Sequence, residues 1–404
     1  MASEDARYRQ SSQFRLWSFS PAQLAAAREK ANILAQSSIA ARLASTPNTS
    51  APTSNANTPD RDGTPSLPEF LTPAEEATMV SFYVSELLRA GDHAEVGEVV
   101  KATGAAFFRR FYITNSIMTY PPQEMLIVSL FFACKAEGIF PRIGDFVSKF
   151  GRDRPDEILA GEYLLCQGIR FAFDVKHPFR ALKGASMELR RLGDIEEQRI
   201  NAAERRAREI LNFSPLITDA YFHYTPSQIM LAALSLADRG LAERLISHTF
   251  HYVAPPTDSG PGTPMAIGDA PTTRRELKIE DKEAIIGSQI RDKVLGTVEA
   301  CRDMLAKELP ERREHWSNKA VFKAQIQPIR KKLAKCRDPD RYNLVELQRA
   351  RREQAGNRSD SEEDEPEDNG RSLEKDAAVF GDALPRDTKR RKVVKTEDPF
   401  GPPL

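Results

Sequence analysis

The chain has 404 residues, 40% hydrophobic and 29% charged, and its 58 basic side chains balance its 58 acidic ones at a formal net charge of zero. That length, less tails and linkers, suits two domains of ordinary size. The zero balance argues against a global positive field for nucleic acid. Four scattered cysteines (134, 166, 301 and 336) with no CxxC pair argue against a zinc ribbon and show no disulfide framework.

Residues 1–10 are polar and charged, with no apolar signal core, so an intracellular, soluble protein is expected. From Ser11 to about Ala44 a short lead-in and a helix are predicted. Ser20-Pro21 supplies the cap and first-turn proline, and Leu24, Ala27, Ala31 and Leu34 recur at helical spacing. Residues 45–68 are rich in Pro, Thr, Ser and Asn and read as a flexible linker. Thr72-Pro73-Ala74-Glu75 is a capping box that opens a helix to about Ala90. The next helix, Val96 to Ile113, carries Val99, Val100, Phe107, Phe111 and Tyr112 as its inner set. Arg109 and Arg110 of that helix read as a solvated face with carboxylate partners.

Pro122 to about Ala136 is apolar on every side and is expected to be buried all round. It is too short to span a bilayer. Lys135 emerges where that buried helix ends, and a rigidly held ammonium there suits recognition of another protein's backbone carbonyls. Helices at 142–150 and 155–171 follow, the second with Ile158, Leu159, Tyr163, Leu164 and Cys166 as its apolar set. Further helices are predicted at Pro178 to Leu192, about 195–221, 226–239 and 241–252. Residues 254–275 are Pro/Gly/Thr-rich, and helices over Ile279–Leu309 and about 311–336 come next. Beyond about 354 the composition is that of a disordered tail, with an acidic run, Asp360 to Asp368, and a basic cluster, Lys389-Arg390-Arg391-Lys392. Strand content is essentially nil, so the fold class is all-α.

One pattern occurs twice. Tyr224-Thr225-Pro226-Ser227-Gln228 matches Tyr120-Pro121-Pro122-Gln123 at an offset of 104 (224 minus 120), and Leu126, Leu130 and Ala133 find Met230, Leu234 and Ala237 at the same offset. A repeat of about 100 residues exceeds any solenoid unit and reads as a duplicated helical domain. No glycine-rich phosphate loop, nucleophile elbow or catalytic acid pair appears. His93, His177, His223, His248, His251 and His315 show no metal-ligand spacing. No enzyme chemistry, cofactor or metal is therefore expected.

Four segments carry a resemblance to the cyclin family, cyclin H type. They are Ser11-Ser12-Gln13 with Arg15, Trp17 and Phe19; Phe108-Arg109-Arg110-Phe111-Tyr112 with Asn115, Ser116 and Met118; Leu130 to Lys135; and Thr218-Asp219-Ala220-Tyr221 with Tyr224 to Ile229. The resemblance covers residue 11 to about 338 and implies two tandem five-helix cyclin boxes with flanking N- and C-terminal helices and a disordered tail. The division is then 1–44, N-terminal segment and helix; 45–68, linker; 69–175, first box; and 176–278, second box with the 254–275 insertion. Residues 279–338 are C-terminal helices, and 354–404 the acidic/basic tail.

The resemblance also implies function. A lysine and a glutamate of the first box bond the kinase backbone near its αC helix in this family, and they match Lys135 and Glu162. Gly138 stands where the family often has an acid, and the arginine-bearing docking motif of mitotic cyclins is absent. The expected role is a non-catalytic activator of a cyclin-dependent kinase. It would act in the CDK-activating kinase and in general transcription factor H, phosphorylating polymerase II C-terminal repeats and activation loops of cell-cycle kinases. A ring-finger assembly factor and the general transcription factor H core are implied partners, with no membrane and no direct nucleic-acid contact. Lys389 to Lys392 fit nuclear import, hence a nuclear location. Thr46, Thr58, Thr64 and Thr263 precede proline, and Ser359 and Ser361 precede acidic residues, as phosphorylation sites would. Two alternatives stand beside this reading. One is another transcriptional cyclin with an elongation or mediator kinase, and the other is a cyclin-fold initiation factor on DNA.

Overall fold

The computed structural model describes residues 4–45, 67–250 and 279–359. Residues 46–66, the 254–275 insertion, Lys389 to Lys392, the four Thr-Pro threonines and Ser361 lie outside the described residues. Every regular element among the described residues is helical, as the all-α expectation requires. The chain divides into two compact units, one of residues 1–176 with 311–403 and one of 177–310.

The first unit starts with α1 (Glu4–Gln10), α2 (Ser12–Trp17) and α3 (Pro21–Ser45). Ser20 and Gln23 form a reciprocal cap at the head of α3, with backbone-to-side-chain distances of 2.8 and 3.2 Å. The buried seam of α3 is Leu24, Ala31, Asn32, Ala35 and Ile39, whereas Leu34, one of the residues recurring at helical spacing, is 41% exposed. Then come α4 (Pro73–His93), α5 (Glu98–Thr114), α6 (Pro122–Ala136), α7 (Ile143–Ser148) and α8 (Pro155–Gly168). The Thr72–Glu75 capping box is formed on both sides, at 3.2 and 2.7 Å.

Helix α6 packs against α4, α5 and α8. Met125 to Phe131, Ala133 and Cys134 are all buried, as an element apolar on every side must be. Around it Phe107, Phe108, Phe111 and Tyr112 are buried, and Tyr112 donates from its hydroxyl to the Tyr120 carbonyl at 3.1 Å. Val99, expected inside, is 36% exposed. Arg109 and Arg110 are corrections of the opposite sign. They are 6% and 2% exposed, not solvated, and Arg110 donates to the Ala172 carbonyl at 3.0 Å.

The unit closes with its C-terminal elements. These are a 3₁₀ stretch beginning at Pro310–Ser317, α16 (Lys319–Val321), a π turn (Phe322–Ile326), α17 (Gln327–Cys336) and α18 (Leu344–Ser359). Lys332 of α17 pairs with Glu75 at 3.0 Å, and fully buried Asp338 pairs with Arg42 at 2.8 Å. Helix α18 packs on α8. No sequence reading anticipated it, and it runs past residue 354, where disorder was expected to begin.

The second unit holds α9 (Phe179–Leu192), α10 (Glu197–Leu211), α11 (Ser214–Ile217), α12 (Ala220–His223), α13 (Pro226–Ala237), α14 (Arg239–Thr249) and α15 (Ile279–Leu305). The single helix expected over 195–221 is three pieces. Pro215 sits in the first turn of α11, a position that suits a proline, and inside a continuous helix it would break the backbone ladder. Helix α13 is the counterpart of α6 and packs against α9, α10, α14 and α15. It too begins at a proline, and Thr225 and Gln228 cap it reciprocally at 3.3 and 2.9 Å. Helix α15 packs on α12, α13 and α14 and so belongs to this unit, where the sequence division had set it with the C-terminal helices.

Candidate docking surface

Lys135 stands in the last turn of α6, where a cation favours the negative end of the helix dipole. The helix stops at once after it. Gly138 takes φ +77° and donates its N–H to the Lys135 carbonyl at 3.1 Å, and Ile139 donates to the Cys134 carbonyl at 2.8 Å. That pair of hydrogen bonds to the last carbonyls is a left-handed helix cap, which glycine adopts without a Cβ penalty. Gly138 is thus a cap residue, whatever charge its absence of side chain removes.

Glu162 projects from α8, which packs along α6. The Lys135 ammonium lies 2.6 Å from Glu162 Oε1 and 4.5 Å from the Phe131 ring centre. The two side chains are 34% and 18% exposed. The structure therefore brings both expected residues together as an ion pair at the surface. A pair exposed to that degree contributes about 0–1 kcal/mol to stability. Cys166, one turn on from Glu162, has its thiol pushed up to about 11 by burial and by the Glu162 charge, so it stays protonated and unreactive. Burial alone holds Cys134 at about 11 as well.

An apolar rim accompanies the pair. Leu159 and Tyr163 of α8 are 43% and 58% exposed, and Phe171 and Phe173, just beyond α8, are 56% and 38% exposed. Phe132, one turn before Lys135, stacks 5.2 Å from Phe173, which in turn lies 6.2 Å from Phe171. Behind them buried Phe107 backs Phe132 at 5.8 Å. An ion pair set beside exposed aromatic side chains on a rigid core has the form of a protein-docking patch.

Sequence reasoning counted Leu159 and Tyr163 in the apolar set of their helix and gave Phe132, Phe171 and Phe173 no docking role. A signal existed. Helix α8 carries Ile158, Leu159, Tyr163, Leu164, Leu165 and Cys166, more apolar residues than one helix face can bury. Among the described residues no group of three His, Cys, Asp or Glu side chains could hold a metal, and no helix is long and apolar enough to cross a membrane. The import cluster lies outside the described residues.

Two helical units, each built on a buried, proline-started central helix, define the tandem-box fold of a cyclin. The family model "Cyclin C-terminal domain" matches residues 177–306. Cyclin CCL1 of Saccharomyces cerevisiae is 29% identical over 262 residues, 64% of this chain and 65% of that protein. Cyclin-H of Xenopus laevis is 30% identical over 179 residues, 42% of this chain and 54% of that protein. The chain thus spans less than two thirds of the length of these two relatives. A chain in the structure of the CAK complex from Chaetomium thermophilum bound to ATP-gamma-S is 63% identical, with 92% of this chain and all of that one aligned at a TM-score of 0.74. The chain belongs to the cyclin family, and within it to the cyclin H type.

Proposed function

We propose that this cyclin binds and activates a cyclin-dependent kinase and has no catalytic activity of its own. The observation that carries the reading is the Lys135–Glu162 pair, held 2.6 Å apart beside exposed Leu159, Tyr163, Phe171 and Phe173. A kinase alone holds its αC helix away from the position in which the Lys–Glu pair orients ATP phosphates. A surface that binds only the inward αC shifts the kinase toward it by that difference in affinity. On docking, the ammonium would exchange Glu162 for kinase backbone carbonyls. The carboxylate would accept kinase backbone N–H groups, and the apolar rim would exclude water from those bonds.

The partners follow from the type. They are the kinase of a CDK-activating complex, a ring-finger assembly factor and the core of general transcription factor H. The substrates are polymerase II C-terminal repeats and activation loops of cell-cycle kinases, so the protein acts in the nucleus at transcription initiation. Similarity to a chain of a CAK complex supports this.

Reconstitution tests it. The purified chain should transfer no phosphate from ATP, and adding it to the kinase subunit of the Chaetomium thermophilum CAK complex should raise phosphorylation of a polymerase II repeat peptide by orders of magnitude. Unchanged kinase activity, or phosphate transfer by the repurified chain alone, contradicts the proposal.

A further inference from the structure

Trp17 lies outside both boxes yet is only 1% exposed. Two guanidinium groups stand over its indole, Arg110 at 5.5 Å and Arg170 at 5.3 Å from the ring centre, within range for cation–π attraction. Both arginines lead to one short stretch. Arg170 belongs to it, and Arg110 donates to its Ala172 carbonyl at 3.0 Å. A few residues on, the Lys176 N–H donates to Gln13 at 2.6 Å, and Gln13 is itself buried. The N-terminal segment around α2 therefore grips the chain from Arg170 to Lys176 at several points.

That stretch has an unusual backbone. Arg170 and Phe171 take φ of +56° and +55°, two consecutive residues with side chains in the left-handed region. Such residues are disfavoured there and persist where surroundings over-determine them. The end of α8 supplies part of the determination. The Arg170 N–H donates to the Gln167 carbonyl at 2.9 Å and the Phe171 N–H to the Cys166 carbonyl at 2.8 Å. Glycine is the usual residue at the first of these positions, and Gly138 fills it at the end of α6. Glu95 fills it after α4, but there the next residue is not left-handed. Among the described residues a second left-handed residue follows only after α8, and it is Phe171, more than half exposed on the docking patch. Arg170 is half-buried, and burial alone pulls its pKa below the ordinary arginine value. Its guanidinium is turned to the indole, not to a carboxylate.

We infer that Trp17 is a positioning residue for the docking surface: through Arg170 and Arg110 it holds Arg170 and Phe171 in the left-handed conformation that presents Phe171 beside Phe173. This rests on the docking reading of the previous subsection. Trp17 is too buried to touch a partner, so its effect on binding passes through the strained turn.

The test is calorimetric titration of full-length variants with the kinase subunit of the Chaetomium thermophilum CAK complex, at a temperature where circular dichroism shows each variant folded. Trp17→Ala and Arg170→Ala should each weaken binding about tenfold or more. Trp17→Phe keeps a π face under both guanidiniums and should recover most of the affinity. Arg170→Gly tolerates the left-handed turn without fixing it and should fall between wild type and Arg170→Ala. Affinity within about twofold of wild type for both alanine variants overturns the inference, even if melting temperatures fall, since that is a purely structural role. If Trp17→Ala does not fold, the two Arg170 variants decide. Lys135→Ala in the same series separates the failures. If it weakens binding while the Trp17 and Arg170 variants do not, only the positioning role is lost. If it has no effect either, the docking surface is wrong and the inference falls with it.

Discussion

Glu76 shows how single residues set the energetics of the first unit. Its carboxylate is 8% exposed and accepts the Ser116 hydroxyl at 2.6 Å and the Asn32 amide at 2.9 Å. One buried acid thus ties α3, α4 and the turn before α6 together. Burial pushes its pKa above the ordinary value of 4.5, against those hydrogen bonds. The folded state therefore holds the proton more tightly than the unfolded chain. That contribution to stability is fully present below about 4.5 and is lost as pH rises through the raised value. Glu76→Gln should lack this loss, so urea unfolding between pH 4 and pH 8 should move in the variant's favour as pH rises. A difference from wild type that is constant over that range contradicts the prediction. None of this was legible in the sequence, where Glu76 is one acid in a helix's first turn. Arg109 and Arg110 were misread for a related reason. A paired arginine looks solvated until its partners are known, and Arg110's partners, Trp17 and the Ala172 carbonyl, are distant in the chain.

At the scale of elements, α8 carries the clearest constraint. Gly161 and Gly168 let it lie close on its neighbours. A Cβ at Gly161 would stand 2.6 Å from Val128 of α6, and one at Gly168 would run into Phe111 of α5. Gly161→Ala and Gly168→Ala should each lower unfolding free energy by about 1–3 kcal/mol, read as a fall in denaturation midpoint. Unchanged midpoints would show that α8 can shift freely. Helix α8 also receives α18, whose Leu344 is buried and lies near Gly161 beside Val128. Truncation after Asn343 should therefore destabilise the chain, and truncation after Ser359 should not. Equal melting of the two would remove α18 from the core.

The elements also show what sequence can carry. Helix α6 runs from Pro122 to Ala136, the expected bounds, because apolar residues on all sides leave one arrangement and the proline and glycine mark its ends. Helix α18 was missed because Leu344 is the one buried apolar side chain among its described side chains. The rest is rich in Arg, Glu and Gln, like the tail that follows. Its helix forms through packing on α8, which local composition does not record. Of the docking patch, Glu162 was legible by resemblance alone, and Lys135 also by its place at the end of the buried helix. The exposed aromatics were hidden by the assumption that apolar means buried.

Over the whole molecule, the duplicated pattern is the organising fact. Helices α6 and α13 both start at a proline at the offset of 104 residues and each forms the centre of its own unit. The tail is expected to act separately from both. Replacing Lys389, Arg390, Arg391 and Lys392 by alanine should abolish nuclear accumulation of a fluorescent fusion and leave kinase activation in vitro intact. Loss of activation, or undiminished nuclear signal, would contradict that division of labour.

The central claim is that the surface around Lys135 and Glu162 activates a kinase, and affinity for that kinase tests it most directly. In the free chain the pair is partly exposed, so Lys135→Ala and Glu162→Ala should leave folding nearly unchanged. In a water-excluded complex each lost head leaves a partner group unpaired, which costs about 2–5 kcal/mol. Titration of each variant with the kinase subunit of the Chaetomium thermophilum CAK complex should then show binding weakened by about 30–4000-fold. Binding of both variants within about twofold of wild type would assign Lys135 and Glu162 to ordinary surface and contradict the account.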